Sequence, residues 1–384
     1  MNILVISHKH QDGYPTASYI HHQIMTFASL GHNVRVIVPV ALGKKSLTGK
    51  RFGAMCESCE YDGILHTFIR YVSVSKYGNY GFNANSAIHS IKFFYGRLFD
   101  GFIPDVIHAH TIGFDSMIGS FLKSQIGCPL VVTTHGSDTE VPLSEGKGWF
   151  VKKCCDEADV VICVGSKLKK RLMECRVASD LVVIPNGFML NNLPKDFNKI
   201  RNSIIQVCNL IPLKRVDVTI RAFARIKETC PTAKLTIVGS GPEKDNLISL
   251  CKEFGVYDSV EFTGQISNLK VMEKLAETEF FIMVSSPEGF GIVYLEAMAA
   301  KCFTIGAENE GISDVIVSGK NGCLLPVDDV EAIVKKVQWA MKNRKEMEMI
   351  ANNGHKTALE YDWRNNSKRV IAIFESLIGI KHDG

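Results

Sequence analysis

A chain of 384 residues is too long for one ordinary core and fits two domains of typical size. Apolar content of 46% against 22% charged residues excludes a disordered chain, and no apolar run reaches the length that spans a bilayer. The net charge of +4 belongs to the first half: residues 1–185 hold 19 Lys and Arg against 15 Asp and Glu, while the remainder holds 25 of each, and no nucleic-acid partner is expected.

The chain enters a strand at Met1-Asn2-Ile3-Leu4-Val5-Ile6 with no basic region or cleavage site, so the expected location is cytoplasmic, the inner face of a membrane included. Short apolar runs at 2–7, 33–39, 106–109, 130–134, 160–164 and 181–184 read as buried strands, with a helix at 19–30 after the first. Strands separated by helix-length segments imply a doubly wound parallel α/β sheet, whose ligands bind past the carboxyl ends of the strands. The loop after the first strand, His8 to Ala17, lacks the glycine spacing of a dinucleotide turn, which argues against NAD. The densest basic run, Lys44-Lys45-Ser46-Leu47-Thr48-Gly49-Lys50-Arg51, lies in a loop near the aromatic stretch 77–102. Such a pairing can rest on an anionic membrane or an acidic acceptor, and a solvated loop is the alternative. Of the twelve cysteines, Cys163, Cys208, Cys230, Cys302 and Cys323 sit in or beside apolar segments, as buried thiols of a reducing compartment do. Cys56-Glu57-Ser58-Cys59 has no second pair at zinc-ribbon spacing, and no metal site is expected. Further on come His108, His110 and His135-Gly136-Ser137-Asp138, polar groups at strand ends beside backbone that is free to bend.

Ile184-Pro185-Asn186-Gly187 closes this first sheet, and the polar stretch 191–202 reads as an interdomain linker. Strands at 204–207, 234–238, 260–263, 280–284 and 302–305 then repeat the pattern. The run 280–284 leads into Ser285-Ser286-Pro287-Glu288-Gly289-Phe290-Gly291 and the helix Ile292-Val293-Tyr294-Leu295-Glu296-Ala297-Met298-Ala299-Ala300. Gly289 and Gly291 let the backbone approach a ligand, and the amides of the helix start form an anion site. Glu288 at the turn and Glu296 about a turn and a half into the helix can touch one long polar ligand, such as a sugar joined to a nucleoside by a diphosphate.

The spacing of glutamate, seven residues, glutamate here resembles the signature of retaining family-4 glycosyltransferases of the GT-B fold. The resemblance implies two Rossmann-like doubly wound domains facing across a cleft: an acceptor domain, 1–187, completed by the C-terminal helix 362–384, and a nucleotide-sugar domain, 188–361. It assigns Glu288 to the donor sugar, Gly289, Phe290 and Gly291 to the diphosphate, Glu296 to the ribose, and Ile292 to donor binding at large. His135 matches the histidine that lies against the sugar, and Asp138 either orients His135 or binds an acceptor hydroxyl. Lys214 matches the lysine of the diphosphate clamp; Asn209 stands where arginine is usual, with Arg215 as a possible replacement for its charge. Gly239 and Gly241 lie in a turn near the nucleotide, and Gly13 and Thr16 in the acceptor-side loop. Asn309-Glu310-Gly311-Ile312-Ser313-Asp314 keeps one glycine of the usual pair, and Lys301 occupies a position that is often glycine. No Asp-x-Asp motif occurs, which fits transfer without a metal, and no cofactor is implied beyond the nucleoside diphosphate sugar as co-substrate. The implied partner is a hydroxyl acceptor, a lipid-linked one included, in cell-surface polysaccharide or glycoconjugate synthesis. The alternatives are a nucleotide-sugar epimerase on the same fold and a catalytically silent binder.

Overall fold

The computed structural model describes residues 1–8, 15–42, 54–74 and 80–379. The chain divides into two compact units, Met1–Asn186 with Trp363–Gly384, and Gly187–Asp362.

The first unit runs β1 (Asn2–Ile6), α1 (Ser18–Ser29), β2 (Asn33–Ala41), β3 (Cys56–Tyr61), β4 (Ile64–Tyr71), α2 (Tyr80–Phe93), α3 (Tyr95–Phe99), β5 (Val106–Ala109), α4 (Phe114–Ile126), β6 (Leu130–Thr134), α5 (Ser137–Ser144), α6 (Gly148–Asp156), β7 (Val160–Cys163), α7 (Ser166–Glu174) and β8 (Asp180–Val183). Its sheet has the order β3-β4-β2-β1-β5-β6-β7-β8, parallel throughout except where β3 meets β4. That hairpin corrects the expectation of a purely parallel sheet. Strand β3, Cys-Glu-Ser-Cys-Glu-Tyr, has no apolar run to betray it, but Asp62 and Gly63 at the turn both take positive φ, 49° and 76°, as a two-residue hairpin turn requires. Cys56 and Cys59 are three apart on a strand, so their side chains leave opposite faces.

The second unit runs β9 (Ile200–Val207), α8 (Val216–Thr229), β10 (Lys234–Val238), α9 (Lys244–Glu253), β11 (Val260–Gly264), α10 (Asn268–Glu277), β12 (Thr278–Ile282), α11 (Ile292–Ala299), β13 (Phe303–Ala307), β14 (Cys323–Leu325), α12 (Val330–Lys342) and α13 (Arg344–Ala358). Its parallel sheet has the order β11-β10-β9-β12-β13-β14. The stretch read as a linker is shorter than expected: Ile200, Arg201 and Asn202 already belong to β9. Just before them the Lys199 ammonium donates to the carbonyls of Leu275, Thr278 and Ala300 at 2.9, 2.7 and 2.6 Å. Polar composition misled there, because the partners are backbone groups far away in sequence.

The last helix, α14 (Trp363–Leu377), packs in the first unit. Its buried Val370, Ile371 and Phe374 meet Ile20, Ile24 and Phe27 of α1, with the two phenyl rings 5.8 Å apart. Burial of each such side chain contributes roughly 1.5–3 kcal/mol. The contact is fixed in register by Gln23, which donates to Asn366 at 2.8 Å, while Asn366 donates to the Pro185 carbonyl at 2.5 Å.

Candidate functional site

In the second unit the strand order turns round between β9 and β12, and sheets of this kind bind ligands outside the carboxyl ends of the strands at that point. A pocket of about 320 Å³ opens there, lined among others by Asn209, Lys214, Gly239, Glu288, Gly291 and Val293. Lys214 closes a single 3-10 turn after β9, and Gln206 holds it by donating to its carbonyl at 2.8 Å. Its ammonium forms an ion pair with Glu288, whose same oxygen accepts from the Ser285 hydroxyl at 3.0 Å. With side chains 21% and 12% exposed, the pair is sheltered but open to the pocket, so it is screened less than a surface pair.

Glycine is required around this pair for reasons of space. A Cβ at Gly239, where φ is +132°, would lie 1.9 Å from the Cys208 carbonyl oxygen, and one at Gly311 would lie 2.0 Å from that of Gly289. Gly241 lies as tightly against Leu210, so the loops leaving β9, β10, β12 and β13 stack backbone on backbone. Gly291, with φ +77°, precedes the first residue of α11, half-buried Ile292, while Phe290 is buried and anchors the turn. Burial, and then the Glu288 charge, push the Tyr294 hydroxyl well above the usual tyrosine range; it stays protonated and donates to the Met283 carbonyl at 2.5 Å.

Glu296 accepts from the Asn268 amide at 2.8 Å. Burial pushes its carboxyl above the usual range, and the Asn268 bond partly offsets this. Val293 and Val271 line the pocket, Glu296 stands three residues after Val293 and Asn268 three residues before Val271 on the same helices, so the pair borders the pocket one turn away.

In the first unit, His135 follows β6 and stacks on His110, with ring centroids 5.5 Å apart and planes 10° from parallel. Their facing nitrogens are 3.3 Å apart, and Tyr19 packs on His135 at 4.6 Å. Asp138 accepts from the main-chain N–H of His135 at 3.0 Å and of Ile112 at 2.8 Å. Beside them Asp115, fully buried, accepts from the main chain and ring of His8 at 3.0 and 2.9 Å and from Thr111 at 2.8 Å. Thr16 is buried and its hydroxyl has no partner among the described residues. Gly13 lies outside the described residues.

Residues 16–191 match the family model described as Glycosyltransferase Family 4, and residues 193–357 the one described as Glycosyl transferases group 1. An uncharacterized glycosyltransferase of Methanocaldococcus jannaschii is 31% identical over 296 residues, which are 71% of this chain and 75% of that protein. The chain belongs to glycosyltransferase family 4. Many solved structures share its fold. A sucrose-phosphate synthase from Thermosynechococcus elongatus superposes with a TM-score of 0.80 at 18% identity, over 99% of this chain and all of that one. HepE of Anabaena, in complex with UDP, does so with 0.75 at 17% identity, over 98% of this chain and 100% of its own. The fold is GT-B.

In this glycosyltransferase the expected donor residues divide into two sets. Lys214, Asn209, Gly239, Glu288 and Gly291 line the pocket, and Lys214 is the one cation among its described lining residues. Arg215 is turned elsewhere: it takes a left-handed φ of 49° and its Nε lies 3.3 Å from Asp328. Asp138 spends both oxygens on main-chain amides, which fixes the backbone of His135 rather than its ring. Sequence reasoning missed Asn268, Glu310, Tyr19, His8 and Asp115. An aspartate in the apolar helix start Gly113-Phe114-Asp115 was the one local signal; the others gain their meaning only from partners distant in sequence.

Proposed function

We propose that this glycosyltransferase moves a hexose-type sugar from a nucleoside diphosphate sugar to a hydroxyl acceptor with retention of anomeric configuration, in the synthesis of a surface polysaccharide or glycoconjugate. The observation that carries the reading is the sheltered Lys214–Glu288 pair in a pocket walled by glycine backbone at the switch point of the second unit. An ammonium there neutralises the diphosphate as the sugar leaves, and it acts more strongly on the transition state than on the ground state. In this reading the charge comes from Lys214 and main-chain amides without a metal. Glu288 is free to hold the sugar hydroxyls once the diphosphate draws Lys214 away, and Glu296 takes the ribose. UDP bound by the structural neighbour HepE supports a nucleotide donor.

In this reading the first unit binds the acceptor, with Thr16, Gly13 and Asp138 as acceptor-side residues, and His135 has the role of the family's sugar-side histidine. We extend the reading to a cytoplasmic enzyme in reversible contact with an anionic membrane, through Lys44, Lys45, Lys50 and Arg51. These four lie outside the described residues; Leu42 and Met55, which flank them, are exposed. Among the described residues no helix is long and apolar enough to cross a membrane. Co-sedimentation with anionic vesicles, reversed by salt, is the expected result, and none at low salt removes this extension.

A thermal-shift panel of UDP, GDP, ADP and CDP, alone and as their common sugars, tests the central reading. A matched nucleotide at 100 times its dissociation constant adds about 2.7 kcal/mol of stability. If none stabilises the protein, the donor pocket is misread.

A further inference from the structure

Glu310 stands in the turn after β13 and is 4% exposed. One of its carboxylate oxygens accepts from the Ser286 hydroxyl at 2.7 Å, and the other from the main-chain N–H of Glu288 at 2.8 Å. The main chain repeats this contact, since the Gly311 N–H donates to the Glu288 carbonyl at 3.2 Å. Next to it, Gly311 presses so closely on the Gly289 carbonyl that no side chain fits between the loops. Glu288 is thus held twice by different groups. Lys214 and Ser285 hold its carboxylate, and Glu310 and Gly311 hold its backbone.

Hydrogen bonds to an ionised acceptor are about twice as strong as neutral ones, and a carboxylate offers two acceptors in one plane at the span between a hydroxyl and an amide. Without Glu310, the Glu288 N–H and the Ser286 hydroxyl lose those partners. The turn would then be held at this point by the Gly311 contact and by Ser286 N–H donating to the Leu213 carbonyl at 3.0 Å. The carboxylate of Glu288 is aimed into the pocket by a backbone that Glu310 sets. When the donor diphosphate draws Lys214 away, the grip on the Glu288 side chain weakens and the grip on its backbone remains.

We propose that Glu310 is a positioning residue for Glu288, and that through it a carboxylate outside the pocket lining governs the hold on the donor sugar. The proposal rests on the donor reading above. Its signature is selective: the increment of affinity between a nucleoside diphosphate and its sugar depends on Glu310, and affinity for the bare nucleotide does not. Glu310→Gln keeps the function, because its amide oxygen can take the Glu288 N–H while its NH2 donates to the Ser286 oxygen.

The test uses the full chain in two arms. In the first, hydrogen exchange without ligand is followed over residues 284–291. Glu310→Ala should speed exchange there about tenfold or more, and Glu310→Gln should restore protection. Unchanged exchange in Glu310→Ala overturns the proposal whatever the donor is. In the second arm, UDP and UDP-glucose are titrated into the parent, Glu310→Ala, Glu288→Ala and the double variant. The ratio of the two affinities should fall by about tenfold in each single variant and no further in the double one, since coupled groups are not additive. Multiplying losses, or an equal fall for UDP and UDP-glucose, overturn the proposal in favour of independent or merely structural roles. If the parent binds neither probe, the UDP form of the donor reading fails, and the exchange arm still decides on Glu310.

Discussion

The loops of the two units that face their strand ends are built on different principles. In the second unit they are locked by absence of side chains: Gly239, Gly241 and Gly311 sit within contact of carbonyl oxygens, and one lysine faces one glutamate over the space they leave. In the first unit they are locked by side chains that reach far along the chain, Asp115 to His8 across 107 residues and Asp138 to Ile112 across 26. A phosphate site needs bare backbone and fixed charge, and both leave marks in a short stretch of sequence. A site made of rings and buried carboxylates leaves no such mark.

The largest effect expected from this contrast is at Asp115. Asp115→Ala removes the acceptor of three hydrogen bonds in a fully buried place, and each donor left unsatisfied costs the first unit about 1–3 kcal/mol. Denaturant unfolding should show that loss while the affinity for nucleotide, assigned to the second unit in the proposed function, stays within about twofold. A collapse of nucleotide affinity with retained stability would mean that the two loop sets do not divide the work in this way.

Next comes Lys214. Lys214→Ala should lower turnover on the matched donor by about a hundred to a thousand, or 2.7–4 kcal/mol, with little change in stability. Arg215→Ala should be near neutral for turnover, because Arg215 faces Asp328. Comparable losses at both positions would place Arg215 in the clamp after all, near-parental turnover in Lys214→Ala would remove Lys214 from the chemistry, and a parent that turns over no donor would favour a silent binder.

Glu296→Ala should weaken nucleoside diphosphate binding by roughly 1.5–3 kcal/mol, since a carboxylate can accept from both ribose hydroxyls. Asn268→Ala should weaken it less, by removing the bond that orients Glu296. Calorimetric titration of both variants separates the roles, and parental affinity in Glu296→Ala removes it from the site.

The same contrast explains what the sequence revealed. Gly291 was legible as a glycine in a turn between a predicted strand and helix, whereas Lys214, Gly239 and the role of Glu288 were read from the resemblance to the family signature. The strands themselves were legible because both faces of each sheet are covered, which leaves continuous apolar runs. Strands β3, β4 and β14 were not read: β3, at an exposed edge, alternates polar residues and cysteines, β4 interrupts its apolar run with His66, Thr67 and Arg70, and β14 is only three residues long. Glu310 was visible only as a residue beside a lone glycine. Its two partners lie 22 and 24 positions away, and nothing in the residue type distinguishes such a clamp from a solvated loop carboxylate.

The two units also differ in their response to acid. Burial drives the His108 imidazole down to about 3, and His22 and His66 down to about 4, and all three belong to the first unit. The second unit has a single histidine, His355. Above pH 6.5 these imidazoles are neutral both folded and unfolded, so stability there does not depend on them. Below 6.5 the unfolded chain takes up protons that the folded unit refuses, and stability falls as the pH drops toward the folded values. For His108, fully buried, the loss is about 1.4 kcal/mol per pH unit and reaches about 2 kcal/mol at pH 5. His66 adds to it, and half-buried His22 adds less. In the second unit the raised carboxyl of Glu296 works in the opposite direction, since a group that binds its proton more tightly when folded gains stability as the pH falls. Hydrogen exchange at pH 7 and pH 5, corrected for intrinsic rates, should therefore show β5 and β6 opening more readily at the lower pH while β9 and β12 hold. Equal loosening of both sheets would mean that the imidazoles are protonated in place, and His108→Gln, whose amide can reach Thr133 as Nε2 does but cannot titrate, should then leave the acid response unchanged.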